Sequence, residues 1–283
     1  MKNWFAGAVV TAGILLVMDT AMANPFDNTV PEDSNLTTVS KSVKLCEGFC
    51  NSMTVNQKAW SGGITEVRGF PGAEEERVFR FQAKEGFCGG DYDCSSDAKK
   101  WLKRRAEVIT KNKIGNGQTH IYKWSMYIPS SQQFTSNDFV RPVQWHGSNN
   151  KTSMAIAFGS VNGLTLYTKN MLNHKDSKNT EIYGHNYKDK WLNFEVHFTR
   201  HKTEGAIMVA INDKVVFECE NCQTNVSNDS KLFFGIGSHA NKTWNAVKYD
   251  QENTWAYTEH VVFFKDVQMF KVLKNGKLKA YYN

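Results

Sequence analysis

The sequence predicts an all-β sandwich of jelly-roll type, with one short helix at most. Three observations carry that expectation. Apolar and polar residues alternate with period two through most of the chain, which is the pattern of half-buried strands. The alternating runs are short and are separated by clusters of Gly, Asn, Asp and Ser, the residues that supply turns. No internal repeat and no proline-rich linker marks a second folded domain.

The elements follow in order. Residues 1–23 have one early lysine, an apolar run and the small-residue ending Ala21-Met22-Ala23. That is the plan of a secretory signal peptide, with cleavage expected near Ala23. A membrane anchor is the other reading. The run is shorter than the ~20 residues of a spanning helix, and Asp19 interrupts its end. Residues 24–40 are polar and read as a flexible lead-in. Residues 41–283 are expected to form the single β domain, exported to the periplasm or the medium.

Strand-like alternation runs through "ERVFRFQAK" (76–84), "QTHIYKWSMYIP" (118–129), "TSMAIAFG", "LTLYTK", "WLNFEVHFTRH", "SKLFFGIGSH" and "EHVVFFKDVQMFKVL". The segment "AIMVAINDKVVFE" predicts a hairpin turning at Asn212-Asp213. Only "SSDAKKWLKRRAEVI" (95–109) has a helical period, with a cap at Ser95 or Ser96. Its end, "RAEVI", equally fits the start of a strand.

The hydrophobic content of 41% and charged content of 22% describe a globular chain. The formal charge is +6. In an exported protein such a charge suits an acidic partner: a polyanionic glycan, a membrane surface or nucleic acid. Nucleic-acid motifs are missing, and "KKWLKRR" is only a short basic patch.

The six cysteines fall into three close pairs: Cys46 with Cys50, Cys88 with Cys94, and Cys219 with Cys222. An even count in an exported chain favours disulfides, and local pairing is expected. "CENC" also fits a redox pair or half a zinc site, but a zinc site needs about four ligands. No metal site is assigned. There is no G-x-S-x-G elbow, no H-E-x-x-H helix and no phosphate loop. Five N-x-S/T sequons begin at Asn35, Asn150, Asn225, Asn228 and Asn241.

The strand "FVRPVQWHG" (139–147) carries the most unusual pattern. Alternation puts Gln144 and His146 on one face with Val140 and Pro142, and Arg141, Val143 and Trp145 on the other. A buried Gln needs its donors and acceptors matched, so this face is either solvated or a polar groove floor. "RRAEV" has the same geometry if it is a strand. Arg105 and Glu107 then share a face, and a guanidinium held by a carboxylate stays positioned to bind a second carboxylate. A surface ion pair on a basic helix is the alternative.

In "WLNFEVHFTRH", Leu192, Phe194, Val196 and Phe198 form a core face. Asn193, Glu195 and His197 are expected in solvent, as on many antiparallel sheets. Tyr183, His185 and Tyr187 precede that strand, and His239, Lys242 and Trp244 follow another. Loops on a rigid β scaffold often build sites, and Tyr and Trp rings suit the faces of sugars.

The order "RRAEV", "VQWHG", "KDKWLNFEVHF", "GAIMVAINDKVVFE" and "LFFGIG" resembles polysaccharide lyases with a concanavalin-like β-jelly roll. Heparin lyase I and glucuronan lyase are the nearest group, and the jelly-roll alginate lyases share the motif order. The resemblance covers roughly residues 75–272. It implies β-elimination on a uronic-acid polymer, with no required cofactor. A structural calcium ion is compatible with it, and the protein is expected to be a monomer.

By this resemblance, Arg105 and Gln144 hold and neutralise the substrate carboxylate. His146 is the base, or the neutraliser beside a tyrosine base. Glu107, Tyr187, Lys242 and Trp244 are the expected binding residues. In such lyases the late strand usually supplies a tyrosine from a "YFKxGxY"-like run. Here Gly237 stands at that position, and Lys231 and Leu232 replace the leading aromatic pair. His239, Tyr249 or Tyr187 would stand in for the tyrosine. Two other activities fit the same sandwich: glycan binding without catalysis, and glycoside hydrolysis, which needs two facing carboxylates.

Overall fold

A computed structural model of the chain describes residues 37–38, 53–55, 64–83, 103–132, 138–147, 152–159, 163–169, 171–172, 177–225, 232–242 and 260–280. Residues 33–283 make one unit, and residues 1–32 are a separate unit outside the described residues. The described elements are all strands. In chain order they are β1 (Thr37–Thr38), β2 (Met53–Val55), β3 (Ile64–Val67), β4 (Val78–Ala83), β5 (Lys103–Ile114) and β6 (Gln118–Tyr127). Then come β7 (Asp138–Val140), β8 (Val143–Gly147), β9 (Thr152–Gly159), β10 (Gly163–Lys169), β11 (Ser177–Tyr183) and β12 (Trp191–Arg200). The last are β13 (Gly205–Ile211), β14 (Lys214–Cys222), β15 (Leu232–Lys242), β16 (His260–Val272) and β17 (Leu278–Ala280).

Two antiparallel sheets result. The first runs β1-β3-β4-β16-β6-β12-β13-β14, with β17 on β16. The second runs β11-β10-β9-β8-β15-β5-β2, with β7 on β15. This is the expected jelly-roll sandwich. The stretch with a helical period is strand from Lys103 onward, and residues 95–102 lie outside the described residues. In β5, Ala106 and Val108 are fully buried, so the period-two pattern of "RAEVI" prevails there. Within the expected lead-in, Thr37 and Thr38 pair with Glu66 and Thr65 of β3.

The core lies between the sheets. Tyr122 and Trp124 of β6 meet Trp145 of β8 and Phe234 of β15. Tyr122 packs edge-on to Trp145 at 5.4 Å and lies 4.4 Å from Phe234, centroid to centroid. Each such side chain contributes on the order of 2–3 kcal/mol by leaving water, and aromatic contacts add roughly 1 kcal/mol each.

The hairpin between β13 and β14 turns at Asn212 and Asp213, with φ of 49° and 63°. Both central residues of a type I′ turn need positive φ, which Asn and Asp tolerate best after Gly. Cys219 and Cys222 stand close enough to form a disulfide. The other two expected cysteine pairs lie outside the described residues.

Candidate active site

The unusual polar pair sits near the centre of the second sheet. On β8, Val143 and Trp145 enter the core with no exposed surface, and Gln144 and His146 take the opposite face. That face is not solvated here: Gln144 is 3% exposed and His146 8%. The strands on either side explain the depth. On β9, Ala155 and Ala157 share the polar face, and on β15 Gly235 and Gly237 do so. These small residues leave a trough around Gln144, while His146 stands between Thr152 and Phe233.

The alternation does not carry back through Pro142. Val143 pairs with Ile236 of β15, and Val140 pairs with Ala240. Three steps on one strand thus match four on the other. Proline cannot donate to the ladder, which favours such a break; its carbonyl instead accepts from Gly237 N at 2.8 Å. The missing step resets the pattern. Val140 faces the core, contrary to the simple alternation, and Arg141 reaches the polar face. A bulge on β9 does the converse. His146 pairs with Thr152 while Trp145 pairs with Met154, so Ser153 is the extra residue and Thr152 is aimed at the groove.

A hydrogen-bonded chain crosses four of these strands. Arg141 Nη1 donates to Thr152 Oγ1 at 2.8 Å. Thr152 Oγ1 donates to Gln144 Oε1 at 3.1 Å. Gln144 Nε2 donates to Glu107 Oε1. A carboxylate only accepts, which fixes the orientation of the Gln144 amide. A guanidinium at one end and a carboxylate at the other polarise each bond in the same sense.

Glu107 comes from β5, and β15 lies between β5 and β8. The two glycines of "FFGIG" make the crossing possible. A Cβ on Gly235 would stand 2.7 Å from Glu107 Oε1. A Cβ on Gly237 would stand 2.1 Å from the Ala106 carbonyl oxygen, and φ there is +153°. No tyrosine side chain fits at 237. The glycine that broke the expected lyase pattern is required by the close approach of β5.

One further side chain joins the group. On β10, Leu164, Leu166 and Thr168 are buried toward the core, and Thr165 and Tyr167 take the other face. Tyr167 pairs with Ala155, and Ala155 pairs with Gln144. The Arg141 guanidinium lies 5.5 Å from the centre of the Tyr167 ring, within reach of a cation–π contact.

Arg141, Thr152 and Tyr167 are therefore site residues that sequence reasoning misses. Pro142 was the available signal for Arg141. "LTLYTK" already gave the face of Tyr167 but no reason to single it out.

The other expected site residues are distributed as follows. Glu107 is 2% exposed and engaged with Gln144. Arg105 stands on β5 opposite His239 of β15, two residues from Glu107, so the backbone places both pairs on the groove face. The side chains of Arg105 and His239 lie outside those described. Lys242 ends β15 opposite Asp138, again with only its backbone described. Trp244 and Tyr249 lie outside the described residues.

Tyr187 is placed otherwise than expected. It is 7% exposed and stacks on Phe158 at 5.8 Å within the core, and burial raises its phenol pKa. Core packing holds this ring, so it is not offered to a sugar. Asn225 is also buried, accepting from Arg200 Nη2 at 2.8 Å, so that sequon cannot carry a glycan in the folded protein. Among the described residues, no group of three or more His, Cys, Asp or Glu is placed to hold a metal ion. No helix among them is long and apolar enough to cross a membrane.

The fold is similar to that of the endo-β-1,4-glucuronan lyase from the fungus Trichoderma reesei. The TM-score is 0.56 and the identity 14%, over 81% of this chain and 95% of that one. The family 7 alginate lyase A1-II′ matches at a TM-score of 0.48 and 16% identity, over 73% and 82% of the two chains. No curated protein sequence matches the chain. The polysaccharide lyase family model matches residues 56–264. That span includes β3 to β15, the start of β16 and every member of the groove network, and the chain belongs to the polysaccharide lyase family and is an enzyme of that type.

Proposed function

We propose that this protein is an exported lyase that cleaves a uronic-acid-containing polysaccharide by β-elimination, using the groove over β8. The observation that carries this reading is the Gln144–His146 pair. It holds an amide fixed at both ends and an imidazole two residues away, on the floor of a trough in the second sheet.

The chemistry asks for such a pair. In a uronate residue the C5 proton sits beside the carboxylate and is only weakly acidic. Donors aimed at the carboxylate stabilise the enolate-like charge that develops when this proton leaves. Gln144, clamped between Glu107 and Thr152, offers an amide whose orientation costs nothing at the moment of reaction. Arg141 brings a permanent positive charge to the same trough, and Arg105 adds a second if its side chain follows its backbone face. His146 removes the C5 proton. Imidazoles as a class exchange protons near neutrality. The C5–H electrons become the C4=C5 double bond, the C4–O4 bond breaks, and O4 takes up a proton.

The formal charge of +6 suits an anionic polymer, and the leader-like residues 1–23 support export. Hydrolysis needs two opposed carboxylates. Among the described residues Glu107 is the one buried carboxylate, and Gln144 already engages it.

The test mixes the mature protein with glucuronan, alginate and heparin, with and without calcium and across pH, and follows the ultraviolet absorbance of unsaturated uronate. Rising absorbance with at least one polymer is expected. Polymer retention with no chromophore under any condition would mean a binding protein on this fold and would overturn the reading.

A further inference from the structure

We propose that Tyr167 is the second proton-transfer residue of this groove and donates its phenolic proton to the departing O4. The inference rests on the lyase reading above and adds a residue to it.

Elimination moves two protons on one sugar, one off C5 and one onto O4, and an acid placed apart from the base lets O4 be protonated as it departs. The groove network itself supplies few candidates. Glu107 reaches across β15 to the floor, is 2% exposed and accepts from Gln144. Arg141 stays charged and cannot donate a proton in catalysis. His146 is assigned to C5. Position 237 of the late strand is closed to a tyrosine because any side chain there would collide with the Ala106 carbonyl.

Tyr167 meets the geometric need. It shares a cross-strand row with Ala155, Gln144 and Gly235. Neighbouring strands lie about 4.8 Å apart. Tyr167 and Gln144 thus stand two strand spacings apart, with only the Ala155 methyl group between them. A sugar ring lying over Ala155 would have Gln144 and His146 on its β8 side and the phenol on its β10 side.

Arg141 is the positioning residue. Its guanidinium covers the Tyr167 ring at 5.5 Å and is tied to Thr152, which is tied to Gln144. The phenol and the carboxylate clamp are therefore parts of one connected assembly.

The proton balance closes. His146 gains the C5 proton, Tyr167 loses its own to O4, and solvent carries a proton from imidazolium to phenolate before the next turnover. No oxidant or cofactor is consumed.

The test is Tyr167→Phe, which keeps the ring and its contact with Arg141. On a polymer that the wild type cleaves, kcat should fall by roughly 100-fold or more. Polymer affinity and the thermal midpoint should stay close to wild type. A uronide with an acidic aryl alcohol as its O4 leaving group needs no proton on departure, so it should restore most of the rate. If Tyr167→Phe cleaves polymer within about threefold of the wild type, or if the aryl substrate restores nothing, Tyr167 is not the acid. A wild-type protein inactive on every polymer would instead remove the lyase reading on which the inference depends.

Discussion

Two strands of this molecule carry nearly the same local pattern and end in different surroundings. β8 presents Gln144 and His146 on one face, with Val143 and Trp145 on the other. β12 presents Glu195 and His197 on one face, with Phe194, Val196 and Phe198 on the other. In each, a hydrogen-bonding side chain precedes a histidine by two. On β12 the polar side chains are 33% and 37% exposed, and Glu195 pairs with Lys123 at 2.7 Å and with His197 at 2.6 Å. On β8 they are almost covered, and the contacts of Gln144 reach β5 and β9.

The difference comes from the neighbours. On β12, Glu195 stands between Lys123 of β6, whose side chain is 43% exposed and ion-paired to it, and Ala210 of β13. On β8, Gln144 stands between Ala155 and Gly235, and His146 between Thr152 and Phe233. Alternation selects the face of a residue; the partners that adjacent strands offer decide whether it pairs at the surface or joins a buried network.

The largest expected effect separates the two histidines. His146→Ala should lower turnover by roughly 1000-fold, while His197→Ala should leave it within about twofold. Product absorbance from both variants, at matched thermal midpoints, makes the comparison. Equal losses would mean that β8 holds no catalytic imidazole.

A third histidine extends the comparison into the core. His120 of β6 has no exposed surface, and burial, aided by the charge of Lys271, lowers its pKa from 6.5 to about 4. It is neutral in the folded protein and takes a proton more readily in the unfolded chain. Its contribution is therefore fully present above pH 6.5 and is lost as pH falls toward about 4. The loss is on the order of 3 kcal/mol across that window. Chemical denaturation of wild type and His120→Gln as a function of pH should show a shallower slope in the variant. Parallel slopes would remove His120 as the cause.

A smaller effect tests the flanking glycines. Gly235→Ala puts a methyl group where Glu107 Oε1 now lies. That oxygen is the end of a flexible side chain, so the fold should adjust and the clamp on Gln144 should loosen. A fall of about 10-fold in kcat is expected, near 1.4 kcal/mol of barrier, with a small change in thermal midpoint. Unchanged kcat would show that Glu107 does not position Gln144.

The smallest effect lies on β12. Partial burial acts to raise the pKa of Glu195, but Lys123 and His197 outweigh it and hold the carboxylate below its ordinary 4.5. Its stabilisation is present above that value and fades as pH falls through the lowered pKa. For a pair this exposed the contribution is below about 1 kcal/mol. Glu195→Gln should flatten the acid side of the stability curve by no more than that in the same denaturation series.

Much of this was legible in the sequence, for identifiable reasons. Period-two alternation reads out the sandwich because one side of each sheet must face the core. It also reads out the wet face of β12, and Asn212-Asp213 reads out its turn. Alternation gives the shared face of Gln144 and His146 because β8 itself is regular between them, the extra residue opposite lying on β9. It fails one residue earlier, where Pro142 breaks the ladder and brings Arg141 onto the groove side. It fails again at Thr152, where the bulge at Ser153 shifts the phase. The bond from Glu107 to Gln144 joins residues 37 apart across an intervening strand, and only the three-dimensional pairing reveals it. Gly237 looked like the loss of a catalytic residue; in the fold it is where β5 and β15 come too close for any side chain.

The central claim is elimination in the groove over β8, and the most direct measurement is the mass of the products. A defined uronate oligomer digested by the wild-type protein in heavy-oxygen water should give fragments whose masses sum to that of the substrate. One fragment should carry the unsaturated residue, and neither should carry heavy oxygen from cleavage. Fragments that have gained the elements of water, with heavy oxygen at the new reducing end, would contradict the account.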